Sequence, residues 1–347
     1  MDPLPFFFDF STQDLKESLE PLGEPDFRAE QIWEGMYKKL ASEPGQITTL
    51  SKKLREFLKD SFSFSHLTPE NSIISKDRNT EKLLFRLPDG NAIESVLMRY
   101  DERNTLCISS QSGCAMGCVF CATGQMGFRR NLSSGEIIEQ VLFFARKLAH
   151  EKQSVTNIVI MGMGEPFHNY DSVLSAIDRL NDSLGFSLGA RRFTISTVGI
   201  IPGIDRFTQE KRQVNLAISL HAANDKLRSS LLPINKKYPL SDLINASKNY
   251  VEQTHRRLTY EWALIQDVND SPKDAEELAD LIDGLLCHVN IIPLNPTSKY
   301  SGKTTTHERA LAFQAVLQAR GIPCTIRLRR GIEINAGCGQ LASSVNT

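Results

Sequence analysis

The sequence predicts an α/β fold, a parallel sheet with helices outside it, preceded by a mostly helical accessory region. Three observations predict it. From about residue 104 short β-branched runs alternate with amphipathic helical runs, and repeated strand–helix units are the pattern of a parallel sheet. Polar and glycine residues collect where those strands end. In such folds ligands sit beyond the carboxyl ends of the strands, whether the sheet closes as a barrel or stays open. Finally, a Cys-x3-Cys-x2-Cys run follows the first of these strands.

Residues 1–90 carry the accessory region. Ser11-Thr12-Gln13-Asp14 reads as a helix start, with Leu15, Leu19 and Leu22 following at helical spacing. A second helix restarts at Pro25-Asp26 and runs through Gln31, Ile32, Trp33, Met36 and Tyr37. A third holds Leu50, Leu54, Phe57 and Leu58. Its Lys52, Lys53, Arg55 and Lys59 read as a solvated face, because residues 1–90 hold 12 basic against 16 acidic residues. Two strand-like runs, 82–87 and 92–99, are joined by Pro88-Asp89-Gly90-Asn91 and read as a hairpin. Glu94, a lone carboxylate among apolar residues of the second run, reads as an edge or rim residue. The domain boundary falls at 90, and residues 91–347 form the core domain. There, strands are expected at 106–109, 157–161, 192–196, 215–220, 259–264, 290–294 and 323–328. Helices are expected near 134–149, 171–183, 225–232, 240–254, 273–286 and 307–320.

Composition narrows the class. A chain of 347 residues can bury a large core and carry a second small domain. The net charge of −1 means that a polyanionic partner must be met by a local patch. Seven unevenly spaced cysteines do not form a secreted disulfide framework. They point to a reducing compartment, the cytoplasm, and to metal or redox chemistry. Phe6, Phe7 and Phe8 form an apolar knot between Asp2 and Asp9, too short and too acidic in its flanks for a signal peptide. No 18-residue apolar run is present, so no membrane partner is expected.

Cys114, Cys118 and Cys121 fall on one tight loop and can grip one inorganic centre. Three thiolates complete neither a tetrahedral zinc site nor the four irons of a 4Fe–4S cluster, so one position stays open, as a catalytic centre requires. The alternatives are a structural zinc with a distant fourth ligand, or buried cysteines acting as small hydrophobes. Gly162-Met163-Gly164-Glu165-Pro166, Ser196-Thr197, Ser219-Leu220-His221, Asn295-Pro296 and Gly337-Cys338-Gly339 follow or end later strands. Turn chemistry explains a Gly, Pro, Asn or Ser at a strand end. It does not explain a Glu beside two glycines, a Ser-Leu-His and a Cys between glycines at one rim. Cys107 alone would read as a core thiol, and Cys287 and Cys324 read as core. Met126, Met161 and Met163 read as packing, His255 and His307 as solvent-facing.

The cysteine run with Gly-Met-Gly-Glu-Pro after the next strand resembles the radical SAM enzymes. Further strings narrow the resemblance: Cys107-Ile108-Ser109-Ser110-Gln111-Ser112-Gly113-Cys114, Gly127-Phe128-Arg129-Arg130-Asn131-Leu132, Ser219-Leu220-His221-Ala222, Pro233-Ile234-Asn235-Lys236-Lys237-Tyr238 and Ala336-Gly337-Cys338-Gly339-Gln340-Leu341. From about Pro25 to Leu341 the chain is similar to the RlmN/Cfr family of RNA adenine methyltransferases.

The resemblance implies a partial (βα)6 TIM-like radical SAM barrel with an N-terminal helical accessory domain. It implies a 4Fe–4S cluster on Cys114, Cys118 and Cys121. It also implies S-adenosyl-L-methionine (SAM), two per turnover, contacted by Gly164, Glu165, Ser196, Ser219, Leu220, His221 and Asn295. By the same resemblance Cys338 is the S-methylcysteine carrier, and Cys107 is the resolving thiol that forms a transient disulfide with it. Glu94 or Cys107 takes the C2 proton. The implied substrates are an adenine in the peptidyl-transferase region of 23S rRNA and an adenine beside the anticodon of tRNA. A flavodoxin or ferredoxin and a thiol reductant are the implied redox partners of a monomer. Pro166 and Pro293-Leu294-Asn295-Pro296 favour methylation at C2 over C8; a non-catalytic RNA-binding protein with structural zinc is the reading from another class. Arg327, Arg329 and Arg330, in a stretch without acidic residues from 314 to 330, would hold phosphates. The pairs Arg129-Arg130, Arg191-Arg192 and Arg256-Arg257 are further basic sites.

Overall fold

The computed structural model describes residues 3–327 and 329–342; Asp2 of the phenylalanine knot and Leu328 of the last expected strand lie outside them. The accessory region holds α1 (Thr12–Leu19), α2 (Phe27–Trp33, continued by a π turn to Lys38) and α3 (Lys52–Ser61). The Ser11–Asp14 capping box forms as expected: the Asp14 N–H donates to Ser11 Oγ at 3.1 Å, and the Ser11 N–H donates to Asp14 Oδ2 at 2.7 Å. Leu15, Leu19, Ile32, Trp33, Leu54 and Leu58 are buried from these helices, and Phe7 and Phe8 are fully buried among them.

The sheet begins with β1 (Thr68–Ile74), β2 (Thr80–Arg86), β3 (Ala92–Tyr100) and β4 (Arg103–Cys107), each antiparallel to the one before. A small ribbon of β5 (Gln111–Gly113) and β6 (Phe128–Asn131) brackets the cysteine loop and the short α4 (Ala122–Met126). Then α5 (Ser134–His150), β7 (Asn157–Ile160), α6 (Tyr170–Asn181), β8 (Phe193–Thr197), α7 (Ile201–Gln209) and β9 (Asn215–Ser219) follow. They are followed in turn by α8 (Asp225–Leu231), α9 (Leu240–Thr254), β10 (Leu258–Leu264), α10 (Pro272–Leu281), β11 (Cys287–Pro293), α11 (His307–Ala319) and β12 (Cys324–Ile326).

The order across the sheet is β1-β2-β3-β4-β7-β8-β9-β10-β11-β12. From β4 to β12 all pairings are parallel, and among the described residues the two ends do not pair. This is the expected partial barrel of six strand–helix crossovers. Side chains alternate along each strand. Ile158, Phe193, Ile195, Leu216, Ile218, Tyr260, Trp262, Val289 and Ile291 are buried in the core shared with the helices. The residues between them face the inside of the sheet.

The boundary expected at 90 falls in the turn between β2 and β3, which are hydrogen-bonded neighbours in the main sheet. The ribbon of β5 and β6, α4, β1 and α7 were not expected, and the last two have plain reasons. β1 is exposed at every position, so no alternation of apolar and polar residues marks it, and Pro69 sits at a register irregularity on this edge. α7 begins Ile201-Pro202-Gly203, which reads as a break. Proline in a first turn loses only an N–H the helix does not use, and a Cβ on Gly203 would lie 2.7 Å from that of Phe167. The glycine therefore marks a close contact. Among the described residues no helix is long and apolar enough to cross a membrane.

The accessory region joins the core through the start of α5. Asp9 Oδ1 accepts from the Gly135 N–H at 2.7 Å and from Ser134 Oγ at 3.1 Å. A Cβ on Gly135 would lie 2.7 Å from the Phe6 ring and 2.8 Å from the Phe8 carbonyl carbon. Gly135→Ala is expected to destabilise the chain by about 1–3 kcal/mol through overpacking, read as a lowered urea midpoint with unchanged slope; an unaltered midpoint would refute this contact.

Candidate active site

The cysteine loop is shaped by close approaches that only glycine permits. Gly113 has φ +74°, and a Cβ there would overlap the Gly127 carbonyl. A Cβ on Gly124 would lie 2.9 Å from the Cys118 nitrogen. The Cys114 N–H donates to Gly127 O at 3.0 Å and the Cys121 N–H to Cys118 O at 3.2 Å, which folds the three thiols onto one turn. The segment around Cys338 is fastened to this loop. The Ala122 N–H donates to Gly339 O at 2.7 Å, and Thr123 Oγ1 donates to Leu341 O at 2.6 Å. Asn295 Nδ2 donates to Cys338 O at 3.1 Å, and Gln340 Nε2 donates to Pro296 O at 3.0 Å.

These pieces enclose a cavity of about 390 Å³ inside the sheet. Its wall is made by inward positions of successive strands: Cys107 of β4, Val159 of β7, Ser196 of β8, Ser219 of β9 and Glu261 of β10. Ser196 Oγ donates to Glu261 Oε2 at 2.9 Å. Glu261 Oε1 is buried without a hydrogen-bond donor; the nearest cation is Arg327 Nη1 at 3.6 Å. His221 takes a left-handed φ of +60°, and its Nδ1 accepts from the Ala263 N–H at 2.9 Å. The ring proton is therefore on Nε2. Burial, then the Arg228 charge, pushes the His221 pKa down to about 3, so the ring is neutral.

Behind the wall lies Arg228, whose side chain is fully buried. Its Nη2 donates to Val198 O at 2.7 Å and to Ser219 O at 3.2 Å, its Nε to Leu220 O at 3.1 Å, and its Nη1 to Asn235 Oδ1 at 2.8 Å. One guanidinium thus ties the ends of β8 and β9 to the Pro233–Lys236 turn.

A family model described as Radical SAM superfamily matches residues 108–282, and one described as Ribosomal RNA large subunit methyltransferase N-terminal domain matches residues 7–63. A protein of Chloroflexus aurantiacus named probable dual-specificity RNA methyltransferase RlmN is 48% identical over 346 residues, covering 96% of this chain and 92% of that protein. This chain belongs to the RlmN family of radical SAM methyltransferases. A Myxococcus xanthus member, dual-specificity RNA methyltransferase RlmN 1, is 44% identical over 97% of this chain and 94% of its own length. A crystal structure of a radical SAM methyltransferase from Sphaerobacter thermophilus superposes with a TM-score of 0.95 at 48% identity, covering 99% of this chain and all of that one.

The RlmN family implies a 4Fe–4S cluster and SAM, and the residues fit the cluster. The three thiols are close enough that Cys118 feels the charge of Cys121 and Cys114. Yet no three His, Cys, Asp or Glu side chains among the described residues converge as one metal ion would need. A cluster binds one thiolate per iron, so its ligands stand apart, whereas zinc draws its sulfurs to about 2.3 Å from one point.

Of the residues expected at an RlmN site, Cys107, Cys118, Cys121, Gly164, Glu165, Ser196, Ser219, His221, Asn295 and Cys338 line the cavity. Cys114 is buried behind it. Leu220, expected through its backbone between Ser219 and His221, has its side chain in the core and its carbonyl on Arg228 Nε. Glu94 differs. Its carboxylate is outside the cavity lining, in a buried ion pair with Lys82 at 2.9 Å, and it accepts from the Ala342 N–H at 2.8 Å. Glu165 is held by the Phe167 N–H at 3.0 Å and the Val198 N–H at 2.9 Å, while burial pushes its pKa up to about 7. Cys107 and Cys338 are free thiols. Burial, then Cys338, pushes Cys107 up to about 12. Solvent reaches Cys338 through the cavity, but its loss of bulk water, then the charge of Glu261, raises its thiol to about 11.

Cys287 and Cys324 are buried as expected, and His255 and His307 are exposed. Met161, read as packing, instead lines the cavity, while Met163 is fully buried. Sequence reasoning missed Glu261, Arg228, Arg103 and Tyr100. Glu261 carried a usable signal, a lone carboxylate at an inward position of an apolar strand; Arg228 looks like any solvent-facing helix residue.

Replacing Arg228 by Met leaves four buried oxygens short of a donor. The expected loss is about 3 kcal/mol or more, read as a lowered unfolding midpoint of the apo chain. Arg228→Lys should recover little of it, because an ammonium cannot span the same acceptors. A wild-type midpoint for Arg228→Met would remove the guanidinium from this account.

Proposed function

We propose that the chain methylates C2 of an adenine in the peptidyl-transferase region of 23S rRNA, and of the adenine beside the anticodon in tRNA. Adenine C2 lies between two ring nitrogens and is electron-poor, so it resists polar attack on a SAM methyl; radical chemistry avoids that difficulty. The observation that carries the reading is the fastening of the Cys338 loop to the cysteine loop, with Cys107 and Cys338 facing one cavity.

Cys114, Cys118 and Cys121 would hold the cluster; Gly164, Ser196, Ser219, His221 and Asn295 would contact SAM. Glu165, with both oxygens on backbone donors, would approach the SAM amino group while bracing the ends of β7 and β8. When bound, the cluster and two SAM molecules per turnover would supply the methyl group and the radical chemistry that bonds its carbon to C2, with the cluster as acceptor of the electron left over. Cys338 carries that carbon as a thioether and presents it to the base, which leaves its stack to enter the cavity. The Cys107 sulfur faces the same space, so Cys107 is the group assigned the C2 proton. The Cys107 sulfur then attacks the Cys338 sulfur: the S–S bond forms as the S–C bond breaks, the proton Cys107 has taken passes to the released carbon, and the RNA leaves with its methyl group. A thiol reductant restores both cysteines. Glu94, paired with Lys82 and bonded to Ala342, anchors the carrier loop.

Mass spectrometry of rRNA and tRNA from a deletion strain, with and without this chain, should show 2-methyladenosine returning with the chain; 8-methyladenosine in its place would overturn the C2 assignment. Anaerobically purified protein should be brown, and Cys118→Ala should abolish SAM cleavage; colourless, zinc-loaded protein would sink the radical mechanism. Cys107→Ala should accumulate a covalent protein–RNA adduct on denaturing gels, whereas Glu94→Gln should turn over without one. Adduct accumulation in Glu94→Gln would return the proton to that carboxylate.

A further inference from the structure

Four arginines, Arg103, Arg327, Arg329 and Arg330, line the mouth of the cavity. Of these four, Arg327 alone has an ion-pair partner among the described residues, Glu261 at 3.6 Å. Arg330 also feels the charge of Asp77 without pairing with it; the contacts of Arg103 and Arg329 are with neutral groups. The guanidinium carbon of Arg103 lies 4.2 Å from the centroid of the Tyr100 ring, and that of Arg330 lies 4.3 Å from the same centroid. Tyr100 and Arg103 face each other across β3 and β4. Arg330 arrives from the far end of the chain and is fixed by an Nη1–Arg99 O bond of 3.1 Å. Arg329 Nε donates to Asn295 Oδ1 at 3.3 Å.

Two like charges over one ring repel each other, and the ring's attraction for each offsets only part of that. Among the described residues most of their N–H groups have no acceptor, and their planar forks match the oxygens of a phosphate. A base can enter the cavity, but a phosphodiester charge cannot follow it into an apolar wall. The phosphates on either side of an extruded nucleotide therefore stay at the mouth, where these forks stand.

We propose that the Arg103–Tyr100–Arg330 stack is the receptor for the backbone phosphates flanking the target nucleotide, with Arg329 beside it; this rests on the reading that an RNA base enters the cavity. Tyr100 sets the spacing of the two guanidiniums, and the ligand supplies the missing counter-charge. The chain, with its net charge of −1, needs such a patch because its overall field does not attract RNA.

The test uses the full chain and two labelled RNAs, a 23S stem-loop carrying the target adenine and a whole tRNA, with binding read by fluorescence anisotropy over a series of NaCl concentrations. Arg103→Gln and Arg330→Gln should each weaken RNA binding about tenfold. The double variant should lower the slope of log affinity against log salt by about 1.4, the release expected for two single-strand phosphates. SAM affinity by equilibrium dialysis should hold, which separates a lost phosphate contact from a collapsed cavity. Tyr100→Leu keeps both charges and should weaken RNA binding with the salt slope unchanged. Adenosine monophosphate should bind the wild type far more weakly than either RNA; equal affinity would overturn the assignment to an RNA backbone. Wild-type affinity and slope in the double variant, while the wild type binds and methylates RNA, would overturn the phosphate receptor alone. Parallel loss of SAM and RNA binding would also overturn it. Failure of the wild type to bind either RNA would overturn the functional reading and this proposal with it.

Discussion

Side chains on a parallel strand alternate between two faces, and this site depends on that constraint. Each strand of the partial barrel spends one set of positions on the apolar contact with its helices. The other set is left to build a wall. On β8 the split is Phe193 and Ile195 outward against Ser196 inward; on β10 it is Tyr260 and Trp262 outward against Glu261 inward. A slip of one residue in any strand would bury the polar group among the helices and turn an isoleucine or tryptophan into the cavity. The registers from Cys107↔Val159 through Ser196↔Ala217 to Glu261↔Asn290 therefore fix the fold and the site together.

The same constraint leaves a gap, because the parallel strands do not close on themselves. The chain fills it with its own C-terminal segment. That segment leaves β12, touches the β2–β3 side through Arg330 to Arg99 O and through the Lys76 N–H to Glu333 at 3.4 Å, and then fastens to the cysteine loop. Gly331 shows how close this passage is, since a Cβ there would lie 2.7 Å from the Thr80 methyl. The segment that covers the open side also carries Cys338. The fixed place of Cys338 over the cysteine loop is thus a consequence of how the barrel is closed.

Much of this was legible in the sequence, for reasons that differ by element. The parallel strands and most helices are long enough and periodic enough to be read from their apolar spacing. The cysteine loop and Gly164-Glu165 were legible because their glycines mark positive φ or close approach. β1 was not, because an exposed edge strand has no apolar face to alternate. α7 was not, because a proline and glycine that read as a break belong to a helix start packed on Phe167. Glu94 was placed on the correct strand but read as an edge or rim residue; β3 is flanked on both sides and the carboxylate is buried, and its pairing with Lys82 depends on the β2–β3 register and not on its own strand. Arg228 was invisible because its value lies in four acceptors contributed by β8, β9 and a turn, which no local pattern brings together.

Charge explains why the arginines and carboxylates are divided as they are. Each buried carboxylate near the site has a defined compensation: Glu165 has two backbone N–H groups, Glu94 has Lys82 and an N–H, and Glu261 has Ser196 and the nearby Arg327. An uncompensated charge in these walls would cost several kcal/mol. Among the described residues Arg103 and Arg330 make no ion pair with a carboxylate, Asp77 acting on Arg330 only at a distance, and water screens them at the mouth, so the cost is small. The interior is thus balanced before a ligand arrives, and at the rim the two guanidiniums on Tyr100 are left without an ion pair among the described residues. A polyanion that delivers one uncharged base gains attraction at the rim without disturbing the electrostatics around Cys107 and Cys338.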